Sequence, residues 1–153
     1  MRELLLAFLS SAVGTLGFAM LLHAPKRSWL PGSLVAGAAF LVYDLLVRTG
    51  LSEASSILFG SIFGSILAQI LARKMKMIST VFVTLSIVSF VPGLGLYRCM
   101  MYLESDQASL GVKAGVDAMI CIAMITLGLG VGGFLYRMFH ALVESWKRKA
   151  QGT

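Results

Sequence analysis

What limits this chain most is a series of apolar runs, each long enough to cross a bilayer and broken only by short polar joints. A spanning helix needs roughly 20 apolar residues, and windows of that size fall in five places. The first extends from about Leu4 to Leu22 and ends at "HAPKRSW", where Pro25 and two cations stop it. The second starts at Leu30, with Pro31 suited to a first helical turn, and closes near Val47 before "RTG". The third runs from about Ser52 to Leu71 and stops at "ARKMK", and the fourth begins near Met77. The fifth runs from about Leu110 to Met138 and leads into a basic tail. A hydrophobic share of 58% against 13% charged residues leaves too little polar surface to cover a soluble globule. The expected fold is an all-α integral membrane protein: five transmembrane helices over residues 1–138 and a basic amphipathic tail over 139–153.

The opening "MRELLLAFLSSAVG" reads as a retained first span and not as a secretory signal. Its apolar run exceeds the roughly 7–15 residues of a signal core, and Glu3 spoils the basic leader. Five spans put the termini on opposite faces, so every cation can be assigned to a side. Lys26, Arg27, Arg73, Lys74, Lys76, Arg137, Lys147, Arg148 and Lys149 fall on one face; Arg2, Arg48, Arg98 and Lys113 fall on the other. The positive-inside rule then predicts an outside N-terminus and a cytoplasmic C-terminus. Trp29 and Trp146 share the basic face, where an amphipathic ring suits the headgroup layer. The tail is expected to lie against anionic lipid.

Several functions are excluded at this level. The formal charge of +6 is placed at membrane edges, and no basic stretch interleaves with aromatics as a nucleic-acid surface requires. Cys99 and Cys121 are far apart and have no metal-ligand spacing around them, so they are expected to be free thiols, with no metal or other cofactor. His23 and His140 sit at the interfaces, away from either intramembrane aspartate, and no nucleophile with a base is visible; the chain is not expected to be an enzyme. Two GxxxG pairs, Gly60 with Gly64 and Gly128 with Gly132, predict close helix packing.

The fourth span carries the most informative stretch, "SFVPGLGLYRCM" at 89–100. Fifteen residues from Met77 to Val91 cover about 22 Å, short of a hydrocarbon core of roughly 30 Å, so the break at Pro92 and Gly93 lies within the membrane. Proline removes a backbone donor, and irregular backbone at that depth survives only where protein or water satisfies it. Two readings follow: a plain proline kink, or the lining of a substrate cavity. Asp44 and Asp117 lie at a similar depth by residue count, which favours a site. Local pairing at i, i+4 is the other reading of both: it suits Asp44 with Arg48 better, and it stays open for Asp117 with Lys113.

The order "GFAMLLHAPKRSW", "ARKMKMISTVF" and "VPGLGLYR" resembles the threonine/serine exporter family, and within it the small subunit of the split two-component form. The similarity is strongest from Gly17 to Trp29 and from Arg73 to Tyr97. It implies a multi-pass carrier in a bacterial inner membrane that exports threonine and serine with the proton gradient, or in some split pairs succinate. It also implies a larger membrane subunit of the same family as partner, joined as an inverted repeat with a shared mid-membrane site. A homo-oligomer is the other way to complete such a site. The family's proline, glycine and tyrosine correspond to Pro92, Gly93 and Tyr97 here; Asp44 and Asp117 do not carry over from it. The candidate substrate-binding residues are Pro92, Gly93, Gly95, Tyr97 and Arg98, with Asp117 and Asp44 as proton-coupling candidates. The alternative function is a non-transporting assembly subunit that packs through its glycine faces.

Overall fold

The computed structural model describes residues 2–151, with side chains through 142; the side chains of Trp146 and Lys147 to Lys149 fall outside the described part. The elements are α1 (Arg2–Leu21), α2 (Lys26–Arg48), α3 (Glu53–Lys74), α4 (Ser79–Val88), α5 (Gly93–Glu104) and α6 (Ala108–Gln151). Among the described residues there is no strand. Helices α1, α2, α3 and α6 are long and apolar enough to cross a membrane, and α4 with α5 makes a fifth span when counted as one broken helix, bent by 49°.

Helix α2 begins about a turn before the expected Leu30. Pro25 ends the preceding turn, and its carbonyl accepts from both the amide and the hydroxyl of Ser28 at 2.8 and 2.7 Å. The Trp29 indole adds a bond to the Ala24 carbonyl at 2.8 Å. These acceptors let helical geometry start at Lys26, so Pro31 stands inside α2 and not at its first position. At the other joint Ser52 caps α3 by accepting from the Ser55 amide, and Arg73 and Lys74 close the helix where its dipole favours cations. Helix α6 is continuous from the last span through residue 151.

Helix α3 lies at the centre, against α2, α4 and α6, while α1 packs on α2 and α5 packs on α6. It can be central because its buried residues, Ile57 apart, are small: Ser56, Gly60, Ser61, Gly64, Ser65, Ala68 and Ala72. The two GxxxG pairs do not face each other. A Cβ at Gly64 would stand 3.0 Å from that of Ala39 on α2, whereas Gly132 on α6 lies against the Ile62 carbonyl and Ser65 of α3. Helix α3 therefore offers different small faces to different neighbours. The Ser65 hydroxyl crosses to the Leu129 carbonyl at 3.2 Å.

The bundle is electrostatically polar. Glu3, Asp44, Glu53, Glu104, Asp106 and Asp117 all fall at one end, tied together there by the ion pair of Arg48 with Glu3 and by the contact of α5 with the start of α6. Lys26, Arg27, Arg73, Lys74, Lys76 and Arg137 fall at the other.

Candidate functional site

The break is built residue by residue. Helix α4 stops at Val88 with Ser89 as its C-cap, and Phe90 still bonds back to the Ile87 carbonyl at 2.8 Å. Proline at 92 has no amide to continue the ladder. The Gly93 amide turns instead to the Val91 carbonyl at 2.7 Å, and the ladder resumes with Leu96 donating to Pro92 at 3.0 Å. Between these, the amides of Leu94 and Gly95 meet no protein acceptor. Helix α5 thus presents unpaired donors at its N-terminus.

Two further features pin the break. The Ser89 hydroxyl lies 2.7 Å from that of Ser11 and 3.1 Å from that of Thr15, both on α1. The Phe90 ring turns into the bundle, 6% exposed, with its centroid 6.1 Å from Tyr43 in an edge-on arrangement and 6.4 Å from Phe40. Each contact satisfies or buries a group that lipid would otherwise meet.

Beneath the break lies a cavity of about 150 Å³, lined by Tyr43, Glu53, Ile57, Phe90, Pro92 and Cys121 among others. It draws on α2, α3, α6 and the broken segment. The Tyr43 side chain is placed beside the Glu53 carboxylate. Asp117 stands one helical turn before Cys121, on the same face of α6, and is exposed at the acidic end. A second hollow of about 330 Å³, rich in hydroxyls from Ser10, Ser11 and Thr15, lies on the α1 side. Phe40 and Ser89 line both and form the partition between them.

The residues singled out from sequence divide between three places. Pro92 lines the cavity. Gly95 packs toward Ala118 on α6, while a side chain at Gly93 would meet nothing within 4 Å. Tyr97 and Arg98 are exposed on α5 and do not line the cavity. Asp44 turns to Arg48, accepting from its Nε at 2.8 Å, while the same guanidinium reaches Glu3 on α1 at 3.1 Å. Asp117 forms no ion pair with Lys113. Sequence reasoning missed Glu53, Tyr43 and the Ser11, Thr15 and Ser89 hydroxyls. Glu53 reads in sequence as an ordinary first-turn acid after an N-cap serine. The available signal was the position of Tyr43, a polar aromatic one residue from Asp44 inside an apolar helix.

Chemically the cavity offers one carboxylate, one phenol hydroxyl, the Ser89 hydroxyl and one thiol, with no cation in its lining. Among the described residues no group of His, Cys, Asp and Glu is placed to hold a metal ion. At about 150 Å³ the cavity has room for several water molecules or a small polar group.

Apolar helices packed around α3, one of their number broken and a small polar cavity at the break, are the build of a multi-pass membrane transport protein. The chain belongs to the threonine/serine exporter family: the family model described as Threonine/Serine exporter, ThrE, matches residues 7–144. That match runs from α1 through the break and into the late turns of α6, and it gives the protein a transport role of the threonine/serine exporter type. No curated protein and no solved structure matches the chain.

Proposed function

We propose that this chain is one subunit of a proton-driven exporter of small carboxylate-bearing metabolites in a bacterial inner membrane, and that the cavity at the break is its share of the substrate site. The observation that carries this reading is the conjunction at the break of a cavity, unpaired amides and a lining carboxylate. The free amides of Leu94 and Gly95 suit a substrate carboxylate, and Glu53 with Tyr43 suits an ammonium group. A lining with a carboxylate and no cation favours threonine or serine over succinate, because a second substrate carboxylate would face Glu53 without a counter-charge. The basic end is assigned to the cytoplasm by the positive-inside rule. Glu53 in the cavity lining and Asp117, one helical turn before the lining Cys121, are the groups able to exchange a proton.

A larger subunit of the same family completes the site. Helix α5 has no buried residue, which leaves Tyr97 and Arg98 available to a partner half. The test is export of labelled serine from liposomes holding this chain with that subunit. Glu53→Gln is expected to raise KM about tenfold or more, the worth of one charge-assisted hydrogen bond. The chain alone is expected to be inert. An unchanged KM in both Glu53→Gln and Tyr43→Phe would remove the cavity from the mechanism and favour a non-transporting assembly subunit.

A further inference from the structure

The wall between the cavity at the break and the hollow on the α1 side is made by Phe40 and Ser89, and the two are unequal parts of it. Ser89 is small, caps α4 and is tied to α1 through the Ser11 and Thr15 hydroxyls at 2.7 and 3.1 Å. The bulk of the wall is the Phe40 ring, which is held by tilted aromatic contacts with centroids 5.3 Å from Tyr43 and 6.4 Å from Phe90. A smaller side chain in its place joins the cavity of about 150 Å³ to the hollow of about 330 Å³.

Other walls of the cavity back on packed protein. Ile57 and Phe90 form one buried cluster with Ala39 and Ile125, and Tyr43 and Cys121 pack against it. A cargo with its ammonium at Glu53 and its carboxylate at the free amides of Leu94 and Gly95 therefore finds further room inside this chain beyond Phe40.

The lining of the hollow says what could enter it. It carries the hydroxyls of Ser10, Ser11, Thr15 and Ser89, has Phe18 and Val88 as apolar walls, and among the described residues no ionisable side chain lines it. Ser10 donates to the Ala7 carbonyl at 3.0 Å, whereas Ser11, Thr15 and Ser89 have three hydroxyl hydrogens for the two bonds they share. One O–H and several lone pairs are left for a molecule in the hollow. Phe40 stands about 12 Å along α2 from Arg48 and about 21 Å from Lys26, at 1.5 Å per residue, so the hollow lies at hydrocarbon depth, where an uncompensated charge is costly. Such a lining accepts a neutral amide or hydroxyl and rejects a carboxylate.

We propose that Phe40 sets the size limit of the cargo by closing off this hollow, and that the hollow is a latent subsite for a longer neutral polar side chain such as that of glutamine. The proposal rests on the cavity at the break being the substrate site.

The experiment uses liposomes holding this chain with the larger subunit and follows export of labelled serine, glutamine, glutamate and methionine. Phe40→Ala is expected to raise kcat/KM for glutamine at least about tenfold relative to serine while glutamate stays excluded. Phe40→Leu keeps more apolar bulk, guards against collapse of the site, and should give a smaller gain in the same direction. Adding Thr15→Val to Phe40→Ala keeps the shape of residue 15 without its hydroxyl, and should reduce the glutamine gain while sparing that for methionine. No gain for glutamine in either Phe40 variant, with serine still exported, would overturn the proposal. So would loss of serine export in both at wild-type melting temperature, which would make Phe40 a part that transport requires. An equal gain for glutamate would overturn the neutral subsite. Failure of the underlying reading looks different: Glu53→Gln and Tyr43→Phe would then leave the serine KM unchanged, whereas a raised KM there with silent Phe40 variants refutes the size limit alone.

Discussion

The close approach of α3 and α6 should make Gly132 intolerant of even one methyl group. A Cβ there would stand 2.8 Å from the Ile62 carbonyl oxygen and 2.8 Å from the Ser65 Cβ. Ordinary contact begins at 3.4 Å, so the two helices would have to separate by about 0.6 Å, and a backbone carbonyl cannot rotate out of the way. Separation of that size also stretches the Ser65 hydroxyl bond to the Leu129 carbonyl, already 3.2 Å long. Overpacking costs about 1–3 kcal/mol and an interhelical hydrogen bond in a membrane averages about 0.6 kcal/mol. Gly132→Ala should therefore lose about 2–3 kcal/mol, which for a chain of this length lowers the melting temperature by about 4–12 °C. The assay is thermal unfolding in detergent or nanodiscs. Gly130 supplies the internal control: on the same helix, a Cβ there meets nothing within 4 Å. Gly130→Ala should melt at or slightly above the wild-type temperature, since alanine is the better helix former. Equal melting temperatures for the two variants would refute the packing argument.

Other outcomes follow from the break. Pro92→Ala restores an amide able to reach the Val88 carbonyl, so it should straighten the 49° bend and cut export by the assembled transporter at least about tenfold at equal abundance; wild-type rates would make the break a plain kink. Ser89→Ala removes both hydroxyl bonds to α1 and should lower the melting temperature by about 2–4 °C, and an unchanged melt would mean that Ser11 and Thr15 do not hold the break. Asp117→Asn should abolish gradient-driven export while sparing exchange down a substrate gradient; undiminished dependence on the gradient would assign Asp117 to structure. The Cys121 thiol lines the cavity, so in a Cys99→Ser background saturating serine should slow its maleimide labelling, and equal rates with and without serine would place the substrate elsewhere.

Much of the architecture was legible before any coordinates. The apolar runs, the basic joints and the proline with its glycines are local signals, since span length is set by bilayer thickness and a helix break by a missing backbone donor. They located the helices to within a few residues, save that α6 continues past the expected Met138 through residue 151, and they placed the break at Pro92. The start of α2, which moved back to Lys26, depended on Pro25 and Ala24 carbonyls finding Ser28 and Trp29 as donors, a choice that Pro31 as a helix-opening residue obscured.

The sequence by itself determined that this is a helical membrane protein, where its apolar runs lie, and which one is broken. Only the tertiary structure decided how each helix is turned about its own axis. That rotation directs Asp44 to Arg48 and Glu3 while its neighbour Tyr43 faces the cavity, brings Glu53 and Cys121 to Pro92 from two other helices, and leaves Tyr97 and Arg98 outside. It also sends Gly60 and Gly64 toward α2 and α4, and Gly128 and Gly132 toward α3. In a soluble helix an apolar stripe would have announced the buried face. In a membrane, lipid and protein interior are equally apolar, so the pattern of hydrophobic residues carries little information about which face is inside. What fixes that face is the fit of small residues and the pairing of a few polar groups across helices, and both exist only once the helices have met.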